Sequence, residues 1–128
     1  MPNLTEERDT KTRDGKMLTF PVSPTTTLYK GGMVAISQTT GTVVPAGENK
    51  DDKVIGMLSR VDYEAGLAVI LRGTYLMNNA DGLIAVTLKD VGKKCSVFDD
   101  NTVCKYDATR AEAGVLIDVD DSGAWVTF

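Results

Sequence analysis

Short runs of β-branched and apolar residues, each closed off by Gly, Pro, Asn or Asp, recur along most of this chain and restrict it to an all-β architecture. Residues 18–22 form the first run, ending among Pro21 and Pro24. Residues 33–37 follow Gly31-Gly32, and residues 42–45 follow Gly41, close enough in sequence for the two to pair as a hairpin. A run at 54–61 comes after the polar loop 48–52. Residues 67–77 then read as one long strand in which Gly73 marks a bulge or bend. Two hairpins close the chain: 94–98 with 102–106 across Asp99-Asp100-Asn101, and 114–119 with 124–128 across Asp120-Asp121-Ser122-Gly123. Runs spaced in this way are those of a sandwich or barrel.

Helix is confined to one place. Thr87-Leu88-Lys89-Asp90 sets a hydroxyl three residues before a carboxylate, close to a capping box, and Gly92 supplies a left-handed stop after about one turn. A strand over 83–88 competes with it, because Ile84, Val86 and Leu88 alternate with Ala85 and Thr87. The connector 107–113, polar and small, is a second place for a helical turn.

The first residues differ from the rest. Residues 1–16 carry Glu6, Glu7, Asp9 and Asp14 against Arg8, Lys11, Arg13 and Lys16, with Met1 and Leu4 the only large apolar side chains. Such a segment buries too little surface to offset its own ordering entropy. Residues 1–17 are therefore expected to be an extended arm, flexible until it meets a partner, and 18–128 one β-rich domain. With 128 residues the chain is long enough to bury a core without disulfides or metal.

Chemistry is hard to place on this sequence. It has no histidine, which removes Ser-His and Cys-His pairs, the commonest general base and the commonest metal ligand. Cys95 and Cys104 lack the two-residue spacing of a redox pair and the further ligands of a zinc site. Asp118-Val119-Asp120-Asp121-Ser122-Gly123 imitates the opening of a calcium loop, yet the twelfth-position Glu is missing, and an acidic β-turn is the better reading. Trp125 reads as core or subunit interface. No cofactor is expected. A net charge of −4 without a basic run argues against nucleic acid, and the longest apolar run, 67–71, is too short to span a bilayer. The polar start does not read as a secretory signal, which points to synthesis in a reducing cytosol.

Register decides the fate of the cysteines. If Asp99-Asp100 is the turn, Cys95 faces Cys104. If the turn is Asp99-Asp100-Asn101 with Asn101 left-handed, Phe98 faces Thr102, Val97 faces Val103, Cys95 faces Lys105 and Cys104 faces Ser96. The second register pairs two valines across the strands and is favoured, which predicts two free thiols.

The order of motifs carries a resemblance. Thr27-Leu-Tyr-Lys-Gly-Gly-Met-Val-Ala-Ile36, Thr42-Val-Val-Pro-Ala46, Val54-Ile-Gly-Met57 and Ala68-Val-Ile-Leu-Arg-Gly-Thr-Tyr75 resemble the capsid cement, or head-decoration, proteins of tailed bacteriophages. So do Asp90-Val-Gly-Lys93, Val97-Phe-Asp-Asp-Asn-Thr-Val103, Ala113-Gly-Val-Leu-Ile-Asp-Val-Asp120 and Gly123-Ala-Trp-Val126, and the arm before Phe20-Pro-Val22. The similarity runs over nearly the whole chain. It implies a compact β-barrel or β-tulip-like domain of short antiparallel strands, and a virion protein made in the host cytoplasm. It implies a homotrimer bound to the major capsid protein on the outer capsid surface, with no enzymatic activity. Within that reading Arg8, Lys11 and Arg13 are the candidate capsid contacts of the arm. A tail or head–tail connector component is the alternative, and a small enzyme a more distant one.

Overall fold

The computed structural model describes Asn3, residues 5–9 and residues 15–128. The described residues form ten strands in two sheets. The first sheet is open and holds β1 (Met17–Pro21), β2 (Met33–Ile36), β3 (Val43–Pro45), β4 (Val54–Asp62) and β5 (Leu67–Leu71), in the order β1-β5-β4-β2-β3. The second is a closed barrel of β6 (Thr74–Asn79), β7 (Lys94–Asp99), β8 (Thr102–Lys105), β9 (Glu112–Asp120) and β10 (Gly123–Thr127), in the order β10-β6-β8-β7-β9. An all-β fold with a barrel was expected, and it is what forms.

The long strand read at 67–77 is two strands in different sheets. Gly73 is where the chain leaves one sheet for the other. Its φ of +147° is outside the range of ordinary side chains. The peptides around it are held from both sides: Arg72 N–H donates to the carbonyl of Lys16, and Gly73 C=O accepts from Phe128 N–H, both within 2.9 Å. The strands are also not all antiparallel. β6 and β8 run parallel over a short seam, pairing Asn78 with Thr102 and Asn79 with Val103, and this seam closes the barrel.

Burial follows the two sheets. Val22, Val34, Val43, Leu58, Ala68 and Ile70 form a core on one face of the open sheet. The barrel is filled by Val97, Val103, Leu116, Ala124 and Val126 among others. Three residues from the open sheet and its loops, Met33, Ala46 and Val54, belong to the barrel's core. Met33 is the telling one. Its backbone pairs β2 with β4, its N–H donates to Asp100 C=O in the β7–β8 turn at 2.6 Å, and its side chain is fully buried.

Residues 81–92 do not form the strand considered for 83–88. They hold two single 3-10 turns, at Gly82–Ile84 and Leu88–Asp90. The reason lies in Asn79. Its side-chain amide donates to Val86 C=O and its carbonyl accepts Val86 N–H, both at 2.9 Å, so a side chain meets the backbone demands that a neighbouring strand would otherwise meet. Val86 is thereby set into the barrel core. The turn at Leu88–Asp90 has the anticipated frame: the Asp90 carboxylate accepts Thr87 N–H at 2.8 Å, and Gly92 takes a φ of +86°. The connector before β9 makes a single turn, with Arg110 N–H on Asp107 C=O.

The β7–β8 register places Cys95 opposite Lys105, Ser96 opposite Cys104 and Val97 opposite Val103, as the valine pairing suggested. The turn itself differs. Asn101 is not left-handed, and Asp99 rather than Phe98 pairs with Thr102, so the extra residue is taken up as a bulge between Val97 and Asp99. The turn is fully engaged: Asp100 C=O accepts Met33 N–H, Asn101 C=O accepts Asn78 N–H, and Asp99 Oδ1 accepts Asn101 N–H. Those bonds fix the two-residue form.

Two substitutions probe this framework. Met33→Ala is expected to cost about 2–5 kcal/mol, the range for emptying a large buried apolar site, read as a lower urea midpoint at unchanged slope. Gly114→Ala is expected to destabilise through a clash, since a Cβ there would press on the backbone carbonyl of Thr127. The same change at Gly15, where nothing lies within 4 Å, should leave the midpoint unmoved.

Candidate functional site

Of the three arm residues picked out from sequence, Arg8 is exposed, while Lys11 and Arg13 lie outside the described residues. The arm enters the fold at Lys16, whose carbonyl is tied to Arg72 at the crossing between the sheets. β1, which follows it, is an edge strand of the open sheet. The arm therefore starts from a fixed point on the rim of the body.

The charged side chains of the body mostly serve its own frame. Glu112 at the start of β9 accepts from Lys53 at 2.8 Å and from Lys94 at 3.1 Å, linking the barrel to the loop that leads into β4. The Lys53 ammonium, with Lys94 beside it, holds the Glu112 carboxyl below the usual carboxylate range. Asp90 is held low in the same way by Lys105 at 2.7 Å and by Thr87 N–H. Asp120 is lowered by the Trp125 indole N–H, which donates to it at 3.1 Å, and by Ser122 N–H. Trp125 is thus half-buried and tethered to the β9–β10 turn, not part of the core. The calcium-like run is that turn, and among the described residues no three His, Cys, Asp or Glu side chains gather as a metal site.

Both cysteines are free and buried. Cys95 points into the barrel core, where burial pushes its thiol up to about 11. Cys104, on the other face of the hairpin with Ser96, is raised by burial as well. Ser96 is itself fully buried and satisfied, bonded to the backbone of Asp107 through both its hydroxyl proton and its oxygen. Both thiols are thereby held in their unreactive, protonated form.

The concave features are open surface depressions. One of about 320 Å³ lies at the seam of sheet and barrel, lined by Lys53, Arg72, Lys94, Glu112 and Phe128. Another, lined by Asp81, Asp120 and Asp121, sits beside the β9–β10 turn. The feature that sequence reading missed is apolar. Residues 81–92 leave Leu83 96% exposed and Leu88 70% exposed, with Ile84 and Val91 beside them in sequence also exposed. The signal was present as the alternation of Ile84, Val86 and Leu88. It suggested only a strand competing with the helical turn, because nothing in the sequence shows that Asn79 pulls Val86 inward and turns its neighbours out.

No helix among the described residues is long and apolar enough to cross a membrane. No family model, curated protein or solved structure matches the chain.

Two titration outcomes follow. As pH falls, the unfolded carboxylates take up protons before Glu112 and Asp90 do, so the stability these ion pairs give is present above about pH 4 and is lost below it. Lys53→Met with Lys105→Met should flatten the acid limb of a stability–pH curve. As pH rises from about 9 to about 11, Cys95 ionises in the unfolded chain but not in the fold, and stability falls. Cys95→Ala should remove part of that alkaline slope, whatever it costs at neutral pH. Titration of the unfolded, unreduced protein should count two thiols.

Proposed function

We propose that this protein is a capsid cement protein of a tailed bacteriophage, docking as a trimer on the outer surface of the assembled head. The observation that carries the reading is where the motifs of the resemblance fall in the fold. Gly31-Gly32 leads into β2, Val44-Pro45 closes edge strand β3, Ile55-Gly56 lies in β4, and Arg72-Gly73 is the crossing between the sheets. Each motif sits where the two-sheet architecture needs it. The motifs of the resemblance thus fall at turns, strand ends and the sheet crossing of one scaffold, which supports reading them as one ordered set. The exposed Arg8 and the anchored exit of the arm at Lys16 support an arm that reaches from a rigid body to a neighbouring surface.

The physical role follows from linkage. A protein that binds the closed lattice in preference to its separated subunits stabilises the lattice by its binding free energy. A body contact and an arm contact on the same shell reinforce each other through effective concentration. The acidic body suits an outer surface better than one facing packaged DNA.

The test is addition to heads that lack the protein. Density on the outside of the shell at repeated symmetry positions, with a higher temperature of head rupture, is the expected result. Density inside against DNA, or attachment confined to the tail or its vertex, would overturn the reading. Removing residues 1–14, which spares the Lys16 carbonyl bound by Arg72 N–H, is expected to weaken head binding by at least about tenfold at moderate salt and to leave the melting of the isolated body unchanged. Replacing Arg8, Lys11 and Arg13 with Glu should reproduce much of that loss.

A further inference from the structure

We infer that a cationic groove along the seam of sheet and barrel binds an extended acidic segment of a partner polypeptide, with an apolar side chain of that segment seated at the β1 end. Three depressions adjoin to form the groove. The first, of about 340 Å³, is lined by Asp90, Lys93, Lys94, Lys105 and Tyr106. Lys94 also lines the second, at the seam itself. Lys53, Val54 and Arg72 are shared between the second and a third of about 280 Å³, which Leu18, Phe20, Ile36 and Ile55 complete.

Charge is segregated here. Residues 17–128 hold ten Lys and Arg against fourteen Asp and Glu, yet five of the ten cations line the groove and only two of the acids, Asp90 and Glu112, do so. A positive groove on an acidic body is matched to an acidic ligand and turns it away from the rest of the surface. The cations are also held in place. Glu112 accepts from Lys53 at 2.8 Å and from Lys94 at 3.1 Å, and Asp90 accepts from Lys105 at 2.7 Å. An ammonium has three donors, so each of these lysines keeps some for a ligand. Arg72 and Lys93 are exposed and make no ion pair among the described residues.

The lining selects a peptide over a nucleic acid. A sugar–phosphate chain carries a charge at every step and would set phosphates against Glu112 in the middle of the groove. A peptide can place an uncharged residue or a backbone N–H there. The rings are not offered to bases either. Lys94 lies over Tyr106, 5.1 Å from its centroid, and Phe128 stacks on Tyr75. At the far end, half-buried Phe20, Ile36 and Ile55 pack on the core of the open sheet and line the third depression, a seat for an apolar side chain.

The experiment uses the full chain and a short labelled peptide of Asp and Glu that ends in Phe. Fluorescence anisotropy at low salt is expected to show saturable binding that weakens as salt rises. Arg72→Glu with Lys93→Glu should weaken it by at least about tenfold. Both side chains are exposed and outside the ion pairs, so circular dichroism and melting should stay unchanged. Lys30→Glu with Arg60→Glu makes the same change in net charge away from the groove and should shift the affinity by less than about twofold. Replacing the Phe of the peptide with Ser should weaken binding by at least about threefold. Absence of saturable binding, or equal losses from the two charge reversals, overturns the inference. So does an oligothymidylate of equal charge that binds more tightly and is lost with Arg72 and Lys93, since the occupant is then a nucleic acid. Peptide binding that emerges only after removal of residues 1–14 also overturns it, since the arm is then the occupant. No heads enter the measurement, so its failure leaves the cement reading standing, and a failure of head binding leaves the peptide result standing.

Discussion

Met33 is the joint of this molecule. Its backbone belongs to the open sheet and its side chain to the barrel, so neither core is complete without the other. The N–H of the same residue meets the β7–β8 turn, which in turn receives Asn78 of β6 through the next carbonyl. One short stretch thus ties β2, β6 and the β7–β8 hairpin together. Ala46 and Val54 extend the contact, and Glu112 bridges the rim of the same seam with Lys53. The order of importance is clear from magnitudes. Burying Met33 contributes a few kcal/mol, whereas an ion pair with an exposed lysine contributes about 1 kcal/mol or less. The apolar joint holds the two sheets, and the charges fix how they meet.

The chain connectivity explains why such a joint is needed. Only Arg72 and Gly73 connect the last strand of the sheet to the first of the barrel. A two-residue link leaves the halves free to hinge unless side chains lock them. Lys16 and Phe128 both bind this link, so the start of the folded body and the end of the chain converge on it. The arm therefore leaves from a point tied by a backbone hydrogen bond to the crossing between the sheets. For a segment that acts by reaching a neighbour, a fixed origin narrows the volume its tip searches and raises its effective concentration at one target.

How much of this was legible in the sequence depended on the range of the interaction involved. The strand runs, the register of β7 with β8 and the single turn at Leu88–Asp90 were legible, because each depends on residues within about ten positions and on turn chemistry. Two cross-strand valines were enough to separate the cysteines. What was not legible depended on contacts distant in sequence. The run 67–77 has one uniform β-branched pattern, and only the bonds from Lys16 and Phe128 show that it changes sheets at Gly73. Asn101 has the composition of a left-handed turn residue, yet Met33 and Asn78 claim the turn's carbonyls and push the extra residue into a bulge. Of the candidate contacts in the arm, Arg8 is exposed and Lys11 and Arg13 lie outside the described residues, while the apolar face of 81–92 depended on a clamp from Asn79 that no local rule predicts.

That clamp has a further consequence for how the surface is built. A loop with four large aliphatic residues normally relaxes by collapsing onto its own barrel, since each buried side chain stabilises by about 1.5–3 kcal/mol. Here a single inward residue, Val86, takes the barrel site, and the two hydrogen bonds from Asn79 forbid the rotation that would exchange it for Ile84 or Leu88. The fold thus spends its polar contacts on keeping apolar side chains outside. Removing the amide donor and acceptor, as in Asn79→Leu, would release Val86 N–H and C=O and let the segment re-seat. The exposure of Leu83 and Leu88 is therefore a property of one half-buried polar clamp. The barrel beneath supplies only the pocket for Val86, and the surface above is set by Asn79.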